Sequence, residues 1–165
     1  MRIVRVIEIR PARSDDRGFI ESMAVEAVNW DPTRLALSPE AIAAEQTFGR
    51  YLDGWLRPDD LGVVAEADGA AVGAAWLRFF KASEPGYGFI AADIPEISIG
   101  VRAGWRGQGI GGLLLDRLVD LARARRIGAI SLSVEPANPA KRLYERHGFR
   151  PVGSNGDAVT MRLDL

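Results

Sequence analysis

The chain has 165 residues, 47% of them hydrophobic, and its 21 basic and 22 acidic side chains give a net charge of −1. This length suits one domain with a core large enough to fold alone, and the near-neutral charge excludes a general basic field for nucleic acid or an anionic membrane. The chain has no cysteine and one histidine, which excludes disulfides, a thiol nucleophile and a metal site built on these side chains.

We therefore predict a single domain over residues 1–165 without a metal site. The N-terminal segment alternates apolar and charged residues, unlike a secretory leader, and no apolar run approaches the ~18 residues of a membrane span. We expect a soluble, cytoplasmic protein.

The first half of the chain predicts a strand, two helices and a hairpin. Residues 2–10 read as an opening strand with apolar Ile3, Val6 and Ile9. A helix is predicted from 14 or 15 to about 28, with apolar positions at Phe19, Met23, Val25 and Ala27. Ser38 and Pro39 favour the start of a second helix that could run to about residue 51.

Two apolar runs, 62–67 and 71–80, flank Asp68-Gly69, a pair that suits a tight hairpin turn because it tolerates positive φ. The sheet in this half is therefore expected to be antiparallel. Residues 81–95 form a long connection rich in Gly and Pro, and long connections often carry function.

The second half predicts strand, glycine loop, helix, strand and helix. Residues 96–101 alternate strictly, and a helix over about 111–125 has one apolar stripe. The strand at 129–134 follows a crossover long enough to make it parallel to the strand at 96–101. A short helix starts at Asn138-Pro139, Gly148 ends it with Phe149 packing back, and two strands over 150–153 and 158–165 finish the chain.

The loop RGQGIGG, Arg106 to Gly112, has four glycines in six residues before a helix. Free amides at a helix N-terminus form an anion site that suits phosphate, although glycines can also simply make a tight turn. Gly107-x-Gly109-x-x-Gly112 also matches the dinucleotide-binding fingerprint. The hairpin upstream and the roughly fifty residues downstream disfavour that fold, which needs a doubly wound parallel sheet.

The segment EISIGVRAGWRGQGIGGLLL resembles the acetyl-CoA-binding motif of the GNAT superfamily of N-acetyltransferases, whose signature has Arg or Gln, then Gly, then Gly or Ala. Here these positions are Arg106, Gly109 and Gly111. SVEPANPAKRLYERHGF resembles the second motif of the family, with its Asn helix cap, Leu-Tyr pair and Gly-Phe. Together the two segments cover about a third of the chain, residues 96–149.

The resemblance implies an α/β (α+β) single domain, with a mixed, mostly antiparallel sheet, a splayed parallel strand pair and flanking helices. Coenzyme A would lie in the splay. The cofactor-binding residues that the resemblance implies are Ile99, Gly100, Val101, Arg106, Gly107, Gln108, Gly109, Ile110, Gly111, Gly112 and Asn138.

The chemistry implied is transfer of an acetyl group from acetyl-CoA to a primary amine of a small molecule, peptide or protein. An alkyl amine has a pKa near ~10.4, so a base must remove a proton at neutral pH. Glu96 is the candidate base, with Glu135 and Asp93 in reserve, and Tyr144 is the candidate acid for the leaving thiol. Some relatives place a Glu on the following strand, where this chain has Ser133, which weakens the likeness to members that acetylate peptide N-termini.

Several alternatives stay open. Glu96 could be a solvent-facing strand residue, Asn138 a mere helix cap, and His147 a cation at a helix end. The chain could use another acyl-CoA, with Gly100 and residues 81–95 leaving space, or bind CoA without catalysis. By family analogy a homodimer is expected. Aromatic and acidic side chains in the first helices and residues 81–95 could line the amine pocket: Trp30, Phe48, Tyr51, Trp55, Phe79, Phe80, Tyr87, Phe89, Asp53, Asp59, Asp60 and Glu84.

Overall fold

One seven-stranded sheet with helices on both faces forms the fold of residues 4–165, which are the residues that the structure, a computed structural model, describes. The strands are β1 (Ile7–Pro11), β2 (Leu61–Ala67), β3 (Ala70–Arg78), β4 (Glu96–Val101), β5 (Ala129–Val134), β6 (Arg150–Asn155) and β7 (Ala158–Asp164). The α-helices are α1 (Arg17–Val28), α2 (Pro39–Ala43), α3 (Gln46–Gly49), α4 (Ile110–Ala124) and α5 (Ala140–Arg146). Short 3₁₀ turns cover Ser14–Asp16 and Ala103–Trp105.

The order of the strands is β1-β2-β3-β4-β5-β7-β6. Adjacent strands are antiparallel except β4 and β5, which are parallel and share a single register pair, Glu96 opposite Ser131. Beyond that pair the two strands diverge toward their C-terminal ends. The predicted mixed sheet with a splayed parallel pair is confirmed.

Two apolar clusters hold the layers together, one on each face of the sheet. On one face α4 buries Ile110, Leu114, Leu115, Leu118, Val119 and Ala122 against alternate residues of the strands. On the other face α1 and the segment after α3 bury Ile20, Met23, Ala24, Tyr51, Leu52 and Trp55 against Val64, Ala74, Trp76 and Phe80. The sheet is thus covered on both sides near β3 and β4.

The hairpin prediction is confirmed, since Asp68 and Gly69 join β2 to β3 with φ of 52° and 79°. The predicted opening strand is shifted: β1 begins at Ile7, its inward side chains are Ile7 and Ile9, and Val6 is exposed. Ile3 lies outside the described residues.

The helices of the first half differ from expectation in two ways. The buried face of α1 is Ile20, Met23 and Ala24, which follows the helical spacing of three and four residues better than the predicted set. The predicted second helix is two helices, because the Glu45 side chain accepts from the amides of Thr47 and Phe48 and caps a new start. Its predicted N-cap, Ser38, is confirmed by its bond from the Ala41 amide.

Within residues 4–165, no helix is long and apolar enough to cross a membrane.

Candidate active site

The glycine loop lies exposed between β4 and α4. Gly107 and Gly109 have φ of 74° and 82°, in the left-handed region that favours glycine, and Gly109 immediately precedes α4. Within the described chain, none of the amides of residues 107–112 donates to a protein acceptor. These amides and the start of a 15-residue helix therefore form a concentrated donor site for an anion.

The two polar side chains of the loop bind the protein itself. The Arg106 guanidinium lies 2.8 Å from a Glu26 carboxylate oxygen and donates to the Val101 carbonyl, which ties the loop to α1. The Gln108 amide is 3.4 Å from the Gly104 carbonyl. The Arg106 amide also donates within the protein, to the Ala103 carbonyl at 3.4 Å, so of these two residues only Gln108 offers a backbone amide to an anion.

The strand β4 is bound to β3 along residues 96–101, while its opposite edge leaves β5 after Glu96. Ile99, Gly100 and Val101 therefore lie on the open side of the splay, where outward-pointing amides and carbonyls of an extended strand can bind a ligand. A Cβ at Gly100 would collide with the backbone of Met23 in α1. The expectation that Gly100 leaves space for a longer acyl group is therefore wrong on this face.

Glu96 lies at the narrow end of the splay and is only 3% exposed, so it is not a solvent-facing strand residue. Its Oε1 accepts from the Tyr51 hydroxyl at 2.5 Å and from the Gly88 amide at 3.0 Å. Its Oε2 is buried and has no hydrogen-bond partner among the described residues. Burial raises the pKa of Glu96 to about 7, although the hydrogen bonds from Tyr51 and Gly88 act to lower that pKa.

The predicted long connection crosses over Glu96, and we call its central part, residues 84–90, the strap. Gly88 packs so closely on β5 that a Cβ there would lie 2.6 Å from the Leu132 carbonyl carbon. The Tyr87 amide donates to the Tyr51 hydroxyl at 2.7 Å, and the Tyr87 carbonyl accepts from Asn155 at 3.1 Å. The strap is thus bound to the sheet on both sides of the splay.

Tyr144 lies in α5, half-buried, with its ring edge-on to Phe149 at 5.8 Å between centroids. Burial raises the pKa of its phenol to about 12, and no described residue hydrogen-bonds to its hydroxyl. The predicted helix end is confirmed: Gly148 has φ of 93°, and the Phe149 amide donates to the Tyr144 carbonyl at 3.0 Å. This Schellman-type end fixes the orientation of α5 on the sheet.

Asn138 caps α5, since its Oδ1 accepts from the Ala140 amide at 3.0 Å. No described acceptor binds its Nδ2 group. The N-terminal turn of α4 lies close by, because a Cβ at Gly111 would be 3.2 Å from the Leu143 side chain. The glycine loop and the segment that contains Asn138 and α5, the two motifs identified in the sequence, therefore lie close together in the fold.

The remaining candidates are distributed differently. Glu135 forms an ion pair with Arg34 at 2.8 Å, and Asp93 is exposed. The His147 ring bridges the Leu143 carbonyl and Asp116 on α4, at 2.9 Å each, so it joins two helices. Of the aromatic candidates, Tyr51, Trp55 and Phe80 are core residues.

Sequence reasoning missed how two residues contribute to the site. Tyr51 was only one of many aromatic candidates, yet it binds the Glu96 carboxylate directly. Gly88 stood in a Gly-rich connection without an assigned role, yet its amide donates to the same carboxylate oxygen. The close spacing of Gly86 and Gly88 was the available signal, since two glycines separated by one residue in a long connection indicate close approach of the backbone to its neighbours.

Comparison with known proteins supports the resemblance to the GNAT family that the two sequence motifs indicate. The Acetyltransferase (GNAT) family matches residues 26–149. The chain is 35% identical over 129 residues to a mycothiol acetyltransferase from Beutenbergia cavernae, across 72% of this chain but only 40% of that protein.

Solved structures with the same fold include two acetyltransferases. The PaiA N-acetyltransferase of Thermoplasma acidophilum, in complex with coenzyme A, has a TM-score of 0.74 at 21% identity and covers 97% of this chain and 99% of that one. The ribosomal-protein-alanine N-acetyltransferase of Brucella melitensis has a TM-score of 0.69 at 26% identity, covering 96% and 99%. The resemblance read from the two motifs is confirmed, and the chain belongs to the acetyltransferase (GNAT) family.

Proposed function

We propose that the chain transfers an acetyl group from acetyl-CoA to a primary amine, with Glu96 as general base and Tyr144 as general acid. The observation that carries the proposal is the state of Glu96, which lies buried at the narrow end of the splay with one oxygen bound and one free. A carboxylate whose pKa is about 7 suits proton removal at neutral pH.

The residues present fit coenzyme A. The amides of residues 107–112, which have no acceptor among residues 4–165, would hold its pyrophosphate, and the open backbone of residues 99–101 would hold its pantetheine arm. The free Nδ2 of Asn138 would donate to it from the other side of the splay. When bound, acetyl-CoA supplies the thioester that is attacked and the thiol that leaves.

Glu96 acts on the acceptor. An alkylammonium group has a pKa of about 10.4, so it is mostly protonated and cannot attack a carbonyl. Oε2 of the carboxylate is buried beneath Gly86 of the strap, so it accepts one proton from the amine through a water molecule, and Glu96 becomes neutral. The Tyr51 hydroxyl and the Gly88 amide keep Oε1 occupied, so the free oxygen takes the proton.

Tyr144 acts on the leaving group. Its phenol gives a proton to the departing thiolate, whose own pKa is near ~8.5, and the phenolate then recovers a proton from solvent. Burial keeps Tyr144 protonated throughout the neutral range. The donor form is therefore present whenever Glu96 is ionised.

The acceptor is proposed as a small-molecule amine or a peptide or protein amine. The relative named mycothiol acetyltransferase supports the first kind, and the neighbour named ribosomal-protein-alanine N-acetyltransferase supports the second. Ser133 lies on β5 where some relatives carry a Glu, which favours the small molecule. A cytoplasmic location and a homodimer belong to the proposal and are tested by fractionation and light scattering.

The test is release of thiol from acetyl-CoA against a panel of small amines and peptides, repeated with propionyl-CoA and butyryl-CoA. Turnover on one acceptor class with acetyl-CoA supports the proposal. Faster turnover with propionyl-CoA or butyryl-CoA would favour the alternative that the chain is an acyltransferase for a longer acyl group. Tight CoA binding by calorimetry without turnover on any acceptor would favour a non-catalytic CoA-binding module.

A further inference from the structure

Two buried side chains of β3 bind the backbone of the turn that carries Tyr51, residues 50–53, here called the Tyr51 turn. The Trp76 indole donates to the carbonyl of Tyr51 at 3.3 Å. Nη1 of Arg78 donates to the carbonyls of Arg50 and Asp53, at 2.9 and 2.7 Å. Trp76 and Arg78 are each 1% exposed, so three carbonyls of one short turn are fixed from inside the protein.

The other two nitrogens of the Arg78 guanidinium, Nε and Nη2, are also hydrogen-bonded. Nε and Nη2 donate to the two oxygens of Asp60, at 3.0 and 2.7 Å, and Asp60 also accepts from the Arg57 amide at 2.7 Å. A buried arginine needs such a partner because an unpaired charge in the core is strongly destabilising. The planar fork thus leaves Nη1 one orientation, toward the Tyr51 turn.

Arg78 also lies directly beside the proposed base, because Arg78 and Glu96 are opposite each other in the register of β3 and β4. Their connection runs through Tyr51, whose hydroxyl donates to Glu96 Oε1 at 2.5 Å. The Tyr51 ring also packs on Phe80 and Tyr87, at 4.9 and 5.9 Å between centroids. The order of contacts is therefore Asp60, Arg78, the Tyr51 turn and then Glu96.

Resting on the proposed function, we propose that Arg78 is a positioning residue for the reaction: it holds the Tyr51 turn so that the Tyr51 hydroxyl occupies Oε1 of Glu96 and leaves Oε2 to take the substrate proton. The role is distinct from stabilising the fold. An arginine that only joins β3 to residues 50–60 would affect the unfolding temperature and leave the acidity of Glu96 unchanged.

The groups that face Glu96 define the expected pH dependence. Tyr51 comes from its turn, Tyr87 from the strap and Arg78 from β3, while β5 presents the uncharged Ser131. A hydrogen bond from Tyr51 favours the ionised carboxylate, so its loss raises the pKa of Glu96. The acidic limb of kcat/KM should then move to higher pH.

The experiment measures the acidic limb of kcat/KM for acetyl-CoA turnover in Tyr51→Phe, Arg78→Lys and the double variant. Tyr51→Phe should move the limb upward by about one pH unit, the effect of losing one hydrogen bond to a charged group. Arg78→Lys keeps the charge but cannot bind Asp60 and both carbonyls at once, so it should move the limb the same way by a smaller amount. The double variant should match Tyr51→Phe, because Arg78 acts through that hydroxyl.

Arg10→Lys is the matched control, since Arg10 binds both oxygens of Asp16 and one of Glu66 from β1, the edge strand of the sheet. It should lower the unfolding temperature without moving the limb. If Arg78→Lys is too unstable to purify, Trp76→Phe removes the bond to the Tyr51 carbonyl and keeps the ion pair. Its limb should also move upward.

An unmoved limb in Arg78→Lys or in Trp76→Phe, or shifts that add in the double variant, would overturn the positioning role. Glu96→Gln separates this failure from failure of the proposed function. If Glu96→Gln abolishes the limb while Arg78→Lys leaves it in place, only the positioning role is wrong. If Glu96→Gln keeps the wild-type limb, the base assignment fails and the positioning role fails with it.

Discussion

Glu96 and Ser131 lie opposite each other as the register pair of the parallel strands β4 and β5, and no second pair follows within the described residues. The Ser131 amide also donates to the Pro95 carbonyl at 2.9 Å, just before the strands part. The Glu96 carboxylate is therefore enclosed by protein at the narrow end, while residues 97–101 border the open part. The same geometry explains both the burial of the carboxylate and its raised pKa.

Glu96→Gln should lower kcat/KM by about 10²- to 10⁴-fold, the usual contribution of a general base. In the wild type, kcat/KM should fall below about pH 7, because the raised pKa of Glu96 means that the carboxylate gains a proton there. Steady-state rates between pH 5.5 and 9 check this. The control Glu8→Gln, at an exposed position of β1, should leave the profile unchanged, and a Glu96→Gln enzyme with the wild-type profile would move the base elsewhere.

Tyr144→Phe should reduce kcat by roughly 10²-fold with little change in CoA affinity, since the role proposed for the phenol is to protonate the leaving group. The ring would still pack on Phe149, so the unfolding temperature should stay nearly constant. Stopped-time assays of thiol release and calorimetry with CoA separate the two effects. Unchanged turnover would remove Tyr144 from the mechanism.

Gly109→Val should weaken CoA binding at least tenfold, because a branched side chain would lie among the amides that are proposed to hold the pyrophosphate. Gly69→Val is the matched control: its φ of 79° is close to the 82° of Gly109, and a Cβ at either position meets nothing within 4 Å. Both variants should lose about 1–2 kcal/mol of stability from the left-handed backbone. Equal CoA affinity in the two variants would contradict the loop assignment.

Asn138→Ala should lower stability by about 1 kcal/mol through loss of the helix cap and should also weaken CoA binding. Ser38→Ala removes an equivalent cap, the bond from the Ala41 amide at 3.1 Å, on the segment between α1 and α2. It should cost similar stability with no change in CoA affinity. Calorimetry that finds the same affinity in both variants would leave Asn138 as a cap alone.

Gly88→Ala should displace the strap, because the new Cβ would lie 2.6–2.8 Å from backbone atoms of Leu132 and Ser133. Glu96 would lose the Gly88 amide, its pKa would rise, and the acidic limb of kcat/KM should move upward. Overpacking of this kind costs about 1–3 kcal/mol. Gly153→Ala, where a Cβ meets nothing within 4 Å, is the control, and equal pH profiles in the two variants would contradict a role for the strap.

The predictions made from local sequence patterns were the most accurate ones. Strict alternation predicted β4 over residues 96–101, and the buried-strand pattern after Gly128 predicted β5 over 129–134, both with their observed bounds. Asp68-Gly69 predicted the hairpin. The second helix was the main error, because Glu45 ends one helix and starts another through its own side chain. Because the second helix begins through a hydrogen-bonding side chain, the spacing of the apolar residues shows no break at that point.

The sequence by itself determined the family and indicated the glycine loop as a candidate anion site, because the glycine loop and the Asn-capped helix depend on backbone conformation and on neighbours a few residues away. Glu96 could be named as a candidate base, but its acidity could not be inferred. Only the tertiary structure decided that, by bringing Tyr51 and Gly88 onto one carboxylate oxygen and burying the other. The physical reason is that desolvation and long-range hydrogen bonds depend on residues up to 45 positions apart, which no local pattern encodes.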